Sequence, residues 1–408
     1  MALAVFLLTY VFLAGFKLPW IKLDRTGAAL VGAAAMVGLG IIEPSEVAAA
    51  VDVDTLVLLL GMMLLAAYLT QAAFFRATAY YVLVHSKTPR GLLFALVMIS
   101  GLLSAFLVND TVCLMLTPLV LMLVKSADLP PLPYLLGLCM ASNAGSVATF
   151  TGNPQNMIIG VASKIPYAQF IAYMALPALL SLLVVLAVLL FMFRKELPHR
   201  SIHPEGPPPP VDRRLMVICS IAIAGILVAF FAGLPLSWSA LVGATAVMVA
   251  AGIDPEPQYK KIDLGLLLFF ACLFIVVHGV NQDGWALAMR ELFAPLMVGG
   301  PIRESFGFTA LTLLTSNLFS NVPFVMLARV WVPGMTDPLL GWQVLALAST
   351  LAGNLTLIGS VANLIVFEGA KDTIKVSFWQ YFRVGAPATL LSVVIGLATL
   401  LAERALFG

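Results

Sequence analysis

Charge is scarce in this chain: of 408 residues only 10% are Asp, Glu, Lys or Arg, while 61% are hydrophobic. An ordinary soluble domain carries about 25% charged residues, so a water-soluble fold is excluded. Cysteine is also sparse. Cys113, Cys139, Cys219 and Cys272 all lie in apolar stretches with no CxxC spacing, which excludes a disulfide framework and a zinc site and leaves small packing residues. A net charge of +2, with no basic arm interleaved with aromatics, excludes nucleic acid as a partner. No phosphate-binding loop is present, so the energy for any uphill step comes from an ion gradient or a separate subunit. No metal-ligand cluster or activated nucleophile sits where the helices break, so the chain does not read as an enzyme and needs no cofactor.

Long apolar runs are what the sequence does have. Each span needs about 20 apolar residues, and such stretches run almost end to end, so the fold class is an all-α polytopic membrane protein. The first, 2–20, lacks a basic leader and a small-residue cleavage site, and reads as a retained helix. The one composition break is 194–214, which contains Pro207, Pro208, Pro209 and Pro210. It divides the chain into a first membrane repeat, 1–193, a linker, 194–214, and a second repeat, 215–408. The halves match in order. Leu30-Val31-Gly32-Ala33 with Ile42-Glu43-Pro44 resembles Leu241-Val242-Gly243-Ala244 with Ile253-Asp254-Pro255. Asp54 pairs with Asp263, Asn109 with Asn321, and Thr149 to Asn156 with Thr356 to Asn363.

Spans are expected at 2–20, 27–43, 53–72, 134–163 and 167–193, then at 215–233, 235–252, 263–281, 343–370 and 378–402. Two further stretches, 91–124 and 306–331, have polar centres and read as re-entrant hairpins. Placing the linker in the cytoplasm puts Lys17, Lys22, Arg25, Arg76, Lys87, Arg90, Lys125, Lys260, Lys261, Lys371 and Lys375 inside, leaving Lys164, Arg290, Arg303, Arg329 and Arg404 outside. That asymmetry follows the positive-inside rule and suggests a cell inner (plasma) membrane. Five crossings per half is an odd number, so the second half is expected to be inverted.

Irregular chain at membrane depth is tolerated only inside protein or beside a wet cavity, and four such places are expected. They are Val108 to Thr111 at the first hairpin tip, Ser142 to Ser146 continuing to Asn156, Thr315 to Asn317 with Ser320 to Pro323, and Gly353 to Thr356 with Gly359, Ser360 and Asn363. Gly and Pro weaken the helix there, while Asn, Ser and Thr supply polar groups to the freed backbone. The candidate solute-binding residues are Asn109, Thr111, Cys113, Asn143, Thr149, Thr151, Gly152, Asn153, Asn156, Ser316, Asn317, Ser320, Asn321, Asn354, Thr356, Gly359, Ser360 and Asn363. Individually, small polar residues in membrane helices serve packing as readily as binding; their recurrence at matched places favours a site. Asp110 is the sharpest candidate, because an acid at that depth is costly and its counterpart is Val322. Burial favours a neutral carboxyl, as a proton carrier requires. A helix cap and, with Asn109 and Thr111, a sodium site are the alternatives. Arg329 is read as reaching the outer interface, and Glu368 with Lys371 as an ion pair.

Asn109-Asp110-Thr111 with Thr117-Pro118, the TFTGNPQN of Thr149 to Asn156, the SNVP of Ser320 to Pro323 and the LIGSVANLIV of Leu357 to Val366 resemble the ion transporter superfamily. That superfamily contains ArsB arsenite-efflux carriers, plant silicon-efflux transporters, NhaD-type sodium/proton antiporters and divalent anion/sodium symporters. The resemblance spans the whole chain. It implies two inverted repeats, each of about five spans with one re-entrant hairpin and one broken helix, and alternating access by rocking or an elevator. The Asn-Asp and Asn-x-Pro tips look more like the ArsB and silicon-efflux branches; the symporters have Ser-Asn-Thr at both. Ser320 stands where NhaD-type proteins carry an acid. The expectation is therefore proton-coupled export of arsenite or antimonite, with H+ as coupling ion, or Na+. The alternatives are a sodium- or proton-coupled carrier of a dicarboxylate or sulfate, and an Na+/H+ antiporter. The expected partners are a small inorganic solute, membrane lipid, a second copy of the chain and an ATPase subunit.

Overall fold

In hydrocarbon a backbone amide has no water to bond to, so an apolar chain must satisfy its amides within helices. The computed structural model, which describes residues 1–13, 23–197, 200–201, 208–297 and 299–407, follows that rule. Among these residues it has twenty α-helices and no strand. Lys17, Lys22 and Pro207 lie outside the described residues.

The first half contains α1 (Ala2–Leu13), α2 (Arg25–Gly38), α3 (Val47–Ala50), α4 (Val53–Gln71), α5 (Phe74–His85), α6 (Pro89–Phe106), α7 (Asn109–Ser126), α8 (Pro131–Ser146), α9 (Pro154–Ser163) and α10 (Tyr167–Met192). The second contains α11 (Arg213–Phe231), α12 (Leu236–Ala251), α13 (Glu256–Tyr259), α14 (Leu264–Gln282), α15 (Trp285–Met297), α16 (Pro301–Phe319), α17 (Asn321–Ala328), α18 (Pro338–Ala352), α19 (Val361–Gly369) and α20 (Phe378–Phe407). Each set has ten α-helices, and their lengths differ at corresponding places: α17 has 8 residues where α7 has 18, and α11 has 19 where α1 has 12. Seven of the described helices, α4, α6, α7, α10, α11, α14 and α20, are long and apolar enough to cross a membrane.

Local chemistry fixes several of these boundaries. Asp52 Oδ1 accepts from Thr55 N at 3.1 Å and so caps α4, while Asp263 Oδ1 accepts from Leu266 N at 2.9 Å and caps α14. The structural counterpart of Asp263 is therefore Asp52. Asp54, the expected counterpart, lies one residue into α4 and accepts from Ser237 Oγ at 2.5 Å. The helices α5 and α15 were not expected. They are 12 and 13 residues long, too short for a crossing, and are interrupted by Arg76, Arg290 and Glu291.

Packing sorts the helices into two groups. In one, α2 lies along α14 and α4 along α12, so matched helices exchange partners between the halves, with α1 and α11 beside them. A Cβ on Gly61 would lie 2.8 Å from the Ala240 carbonyl carbon, which shows how closely α4 and α12 approach. The other group holds α6 to α10 and α16 to α20, with α10 packed along α20. Helix α5 touches both α4 and α7, and α15 touches both α14 and α16, so each joins one group to the other.

Candidate functional site

The helices of the second group are interrupted at four points, and the four helices that restart there begin at one place. Asn109 and Asp110 open α7, Pro154 and Gln155 open α9, Asn321 and Val322 open α17, and Ser360, which accepts from Ala362 N, precedes Val361 at the start of α19. All of these residues line one cavity of about 40 Å³, closed from the other group by Arg25, Leu266, Phe269 and Phe270. That space accommodates about three water molecules or one small solute. A helix N-terminus carries up to roughly half a positive charge, here partly met by caps: Asp110 N donates to Asn109 Oδ1, Asn156 N to Asn153 Oδ1 and Ala362 N to Ser360 Oγ; Arg25 adds a full charge. Among the described residues Asp110 is the only acid in this wall. It also lines a second cavity of about 90 Å³, with Thr111, Leu114, Lys261 and Asp263.

The two hairpins reach this point by different turns. Helices α6 and α7 are joined by Leu107 and Val108, which are 3% and 1% exposed, so the tip is enclosed by protein. Asn109 to Thr111 is not irregular, as expected, but forms the first turn of α7. In the later hairpin Ser320 alone breaks the chain, at φ +75°, a strained conformation for a residue with a Cβ. Beside it, Asn321 is 6% exposed and its buried Oδ1 has no hydrogen-bond partner.

Behind the cavity stands a network of amides. Asn143 Oδ1 accepts from Asn109 Nδ2 at 3.0 Å and from Ser360 Oγ at 3.1 Å, and its Nδ2 donates to Asn354 Oδ1 at 2.9 Å and Asn363 Oδ1 at 3.3 Å. One buried side chain on α8 thus ties the first hairpin tip to the broken helix of the other half. The unwound segments are held by matched residues. Asn156 Nδ2 donates to the carbonyls of Ser146 and Thr149, both at 3.0 Å, and Asn363 Nδ2 to those of Gly353 and Thr356, at 2.7 and 3.0 Å. Gly152 is needed for this fold-back, because a Cβ there would meet the Ser146 carbonyl oxygen at 2.4 Å. At Gly359 a Cβ would meet Asn317 Oδ1 at 2.9 Å.

Of the residues expected at the site, Asn109, Asp110, Ser320, Asn321 and Ser360 line the central cavity. Thr111 lines the second. Asn143, Asn354 and Asn363 form the network with Asn109, Asn156 holds the first unwound segment, and Asn153 caps α9 by accepting from Asn156 N at 2.8 Å. Thr149 and Thr151 donate to the Ala105 carbonyl, and Thr356 to Asn317 Oδ1 at 3.0 Å. Cys113 and Ser316 are fully buried and lie outside both cavity walls. Ser142 to Ser146 and Thr315 to Asn317, expected to be irregular, are helical. The side chains of Ser142, Ser146, Thr315 and Asn317 bond to carbonyls one turn back or to other helices, so the backbone keeps its own bonds, while the buried Ser316 Oγ has no hydrogen-bond partner.

Gln155, Phe269, Phe270 and Arg25 were missed. Gln155 lies inside the GNPQN run, where its place at the head of α9 was the available signal; the two phenylalanines gave none. Arg25 was assigned only to topology, yet it supplies a cation to the cavity. Arg329 was expected at the outer interface. It is 26% exposed and pairs with Asp52 at 3.4 Å, its guanidinium 5.7 Å from the Phe274 ring centre. Glu368 and Lys371 form the expected pair, at 2.7 Å.

The family model described as citrate transporter, CitMHS, matches residues 11–352. The chain belongs to this family. Within the same relationship, the silicon efflux transporter LSI3 of Oryza sativa subsp. japonica is 32% identical, with 93% of each chain covered. A transporter named arsB in Dictyostelium discoideum is 26% identical, over 96% of this chain and 90% of that one. The crystal structure of the Alcanivorax borkumensis YdaH transporter superposes with a TM-score of 0.64 at 15% identity, covering 99% of this chain and 97% of that one. CitMHS membership makes the chain a membrane transporter, and the YdaH likeness places its helices in a known transporter fold.

Proposed function

We propose that the chain exports arsenite or antimonite in exchange for protons. The observation that carries this reading is the shared cavity: both hairpin tips and both helix restarts meet there, around a single carboxyl. Arsenite and antimonite are neutral trihydroxy solutes at physiological pH. Their hydroxyls donate to a carboxylate and to Asn321 Oδ1, and their oxygens accept from helix N-terminal amides. An ionised Asp110 accepts from a solute hydroxyl about twice as strongly as a protonated one, which keeps only its carbonyl oxygen as acceptor. Solute and proton therefore compete, and alternate loading gives exchange. The names of the rice and Dictyostelium relatives support a small metalloid hydroxide.

Charge asymmetry supports placing the linker 194–214, Arg25 and Lys261 in the cytoplasm and Arg329 outside. In that frame the second half is inverted, and the two packing groups are the bodies that move past one another. A second reading, a sodium- or proton-coupled carrier of a small anion, is favoured by Arg25 and the four helix N-termini, which together are electropositive. Proteoliposomes loaded with arsenite, under an imposed proton gradient, test the choice. Efflux competed by antimonite and silicate but not by citrate or sulfate supports the metalloid reading; competition by the anions alone overturns it. Asp110→Asn is expected to abolish the proton-driven part of the flux, and an unchanged flux removes Asp110 from the mechanism.

A further inference from the structure

Arg25 and Asp110 face one cavity from different packing groups. Arg25 opens α2, which packs on α1 and α14; Asp110 lies in the first turn of α7, which packs on α8 and α19. Among the described residues they are the only base and the only acid in that wall, and they form no ion pair within 4 Å. Phe269 and Phe270, also on the Arg25 side, keep this space narrow and apolar on one face, where a charge acts over a longer distance than in water.

We propose that Arg25 is a positioning residue: it is the counter-charge that holds ionised Asp110 toward the α2–α14 group and releases it when Asp110 gains a proton or the solute occupies the gap. This rests on the reading of Asp110 as the proton site and adds to it the link between proton loading and movement of one group past the other. The remaining charged groups facing Asp110 are Asp263, which caps α14, and Lys261 just before it, both in the second cavity. Asp263 repels an ionised Asp110, and Lys261 Nζ is held by Gln71 Oε1 at 3.1 Å and Gln258 Oε1 at 3.0 Å, so neither takes the place of Arg25 as the cation of the central cavity. The lining residues of α9, α17 and α19 carry no charge.

The test uses a readout that needs no solute. Leu114, 51% exposed in the second cavity, is replaced by Cys, and its rate of reaction with a membrane-impermeant maleimide, divided by that of the same Cys in denatured protein at each pH to remove the thiol's own ionisation, is followed against pH. The four native cysteines are buried. One transition is expected in the otherwise wild-type chain, and Asp110→Asn is expected to flatten it. Arg25→Gln should move the transition to higher pH by about one unit, while Arg25→Lys keeps it in place. If Asp110→Asn leaves the transition intact, the proton-site reading fails and this proposal with it. If Asp110→Asn flattens the profile but Arg25→Gln does not move it, or Arg25→Lys moves it as far, only the role of Arg25 is overturned.

Discussion

Asp52→Asn isolates one ion pair. Asp52 does two things: Oδ1 caps α4 by accepting from Thr55 N, and Oδ2 faces Arg329 at 3.4 Å. Asparagine caps a helix as well as aspartate does, so the substitution keeps the cap and removes the charge. The pair joins the end of α17 to the start of α4, members of the two different packing groups, and Phe274 on α14 lies against the guanidinium. At the matched place in the other half stands Thr117, which donates to the Cys113 carbonyl. The closure is therefore one-sided, and exposure agrees: Met326 beside Arg329 is 0% exposed, while its counterpart Leu114 is 51%. With side chains 26% and 14% exposed, the pair lies between a surface bridge and a buried one. Breaking it should cost about 1–2 kcal/mol, which is roughly a 5–30-fold change in a two-state ratio. Met326→Cys should accordingly react with an impermeant maleimide from the Arg329 side roughly 5–30 times faster when Asp52→Asn is added. A rate unaffected by Asp52→Asn would refute the view that this pair holds that side shut.

Two further outcomes concern the broken helices. Asn363→Ala removes the donor to two buried carbonyls, at 2.7 and 3.0 Å, and should destabilise the protein by about 2–4 kcal/mol in chemical denaturation; an unchanged midpoint would show that the fold-back does not depend on it. Gly152→Ala places a Cβ 2.4 Å from a backbone oxygen, whereas Gly225→Ala meets nothing within 4 Å. The first should cut the yield of folded protein severely and the second should not, and equal yields would contradict the close packing at Gly152.

Most of the helical layout and the helix breaks were legible in the sequence, because Asn, Gly and Pro inside an apolar run are costly and stand out. Gly152, Gly359, Asn156 and Asn363 were found in this way. Residues defined by contacts between distant segments were not. Arg25 belongs to the cavity only because α2 lies on α14, and Phe269 and Phe270 are indistinguishable from lipid-facing residues until that packing is known. Asn143 was recognised as polar at depth, but its place behind the cavity depends on which turn of α8 faces Asn354 and Asn363. Asp54 was matched to Asp263 because it opens the apolar run; the bond from Thr55 N to Asp52 is what identifies Asp52 as the cap.

The claim that solute and proton compete for Asp110 has a direct measurement. Purified protein in weakly buffered solution is mixed with arsenite near the pH at which Asp110 is half-protonated, and the protons exchanged with solvent are counted. The account predicts proton release on binding, lost in Asp110→Asn. Proton uptake, or release that persists in Asp110→Asn, would contradict it.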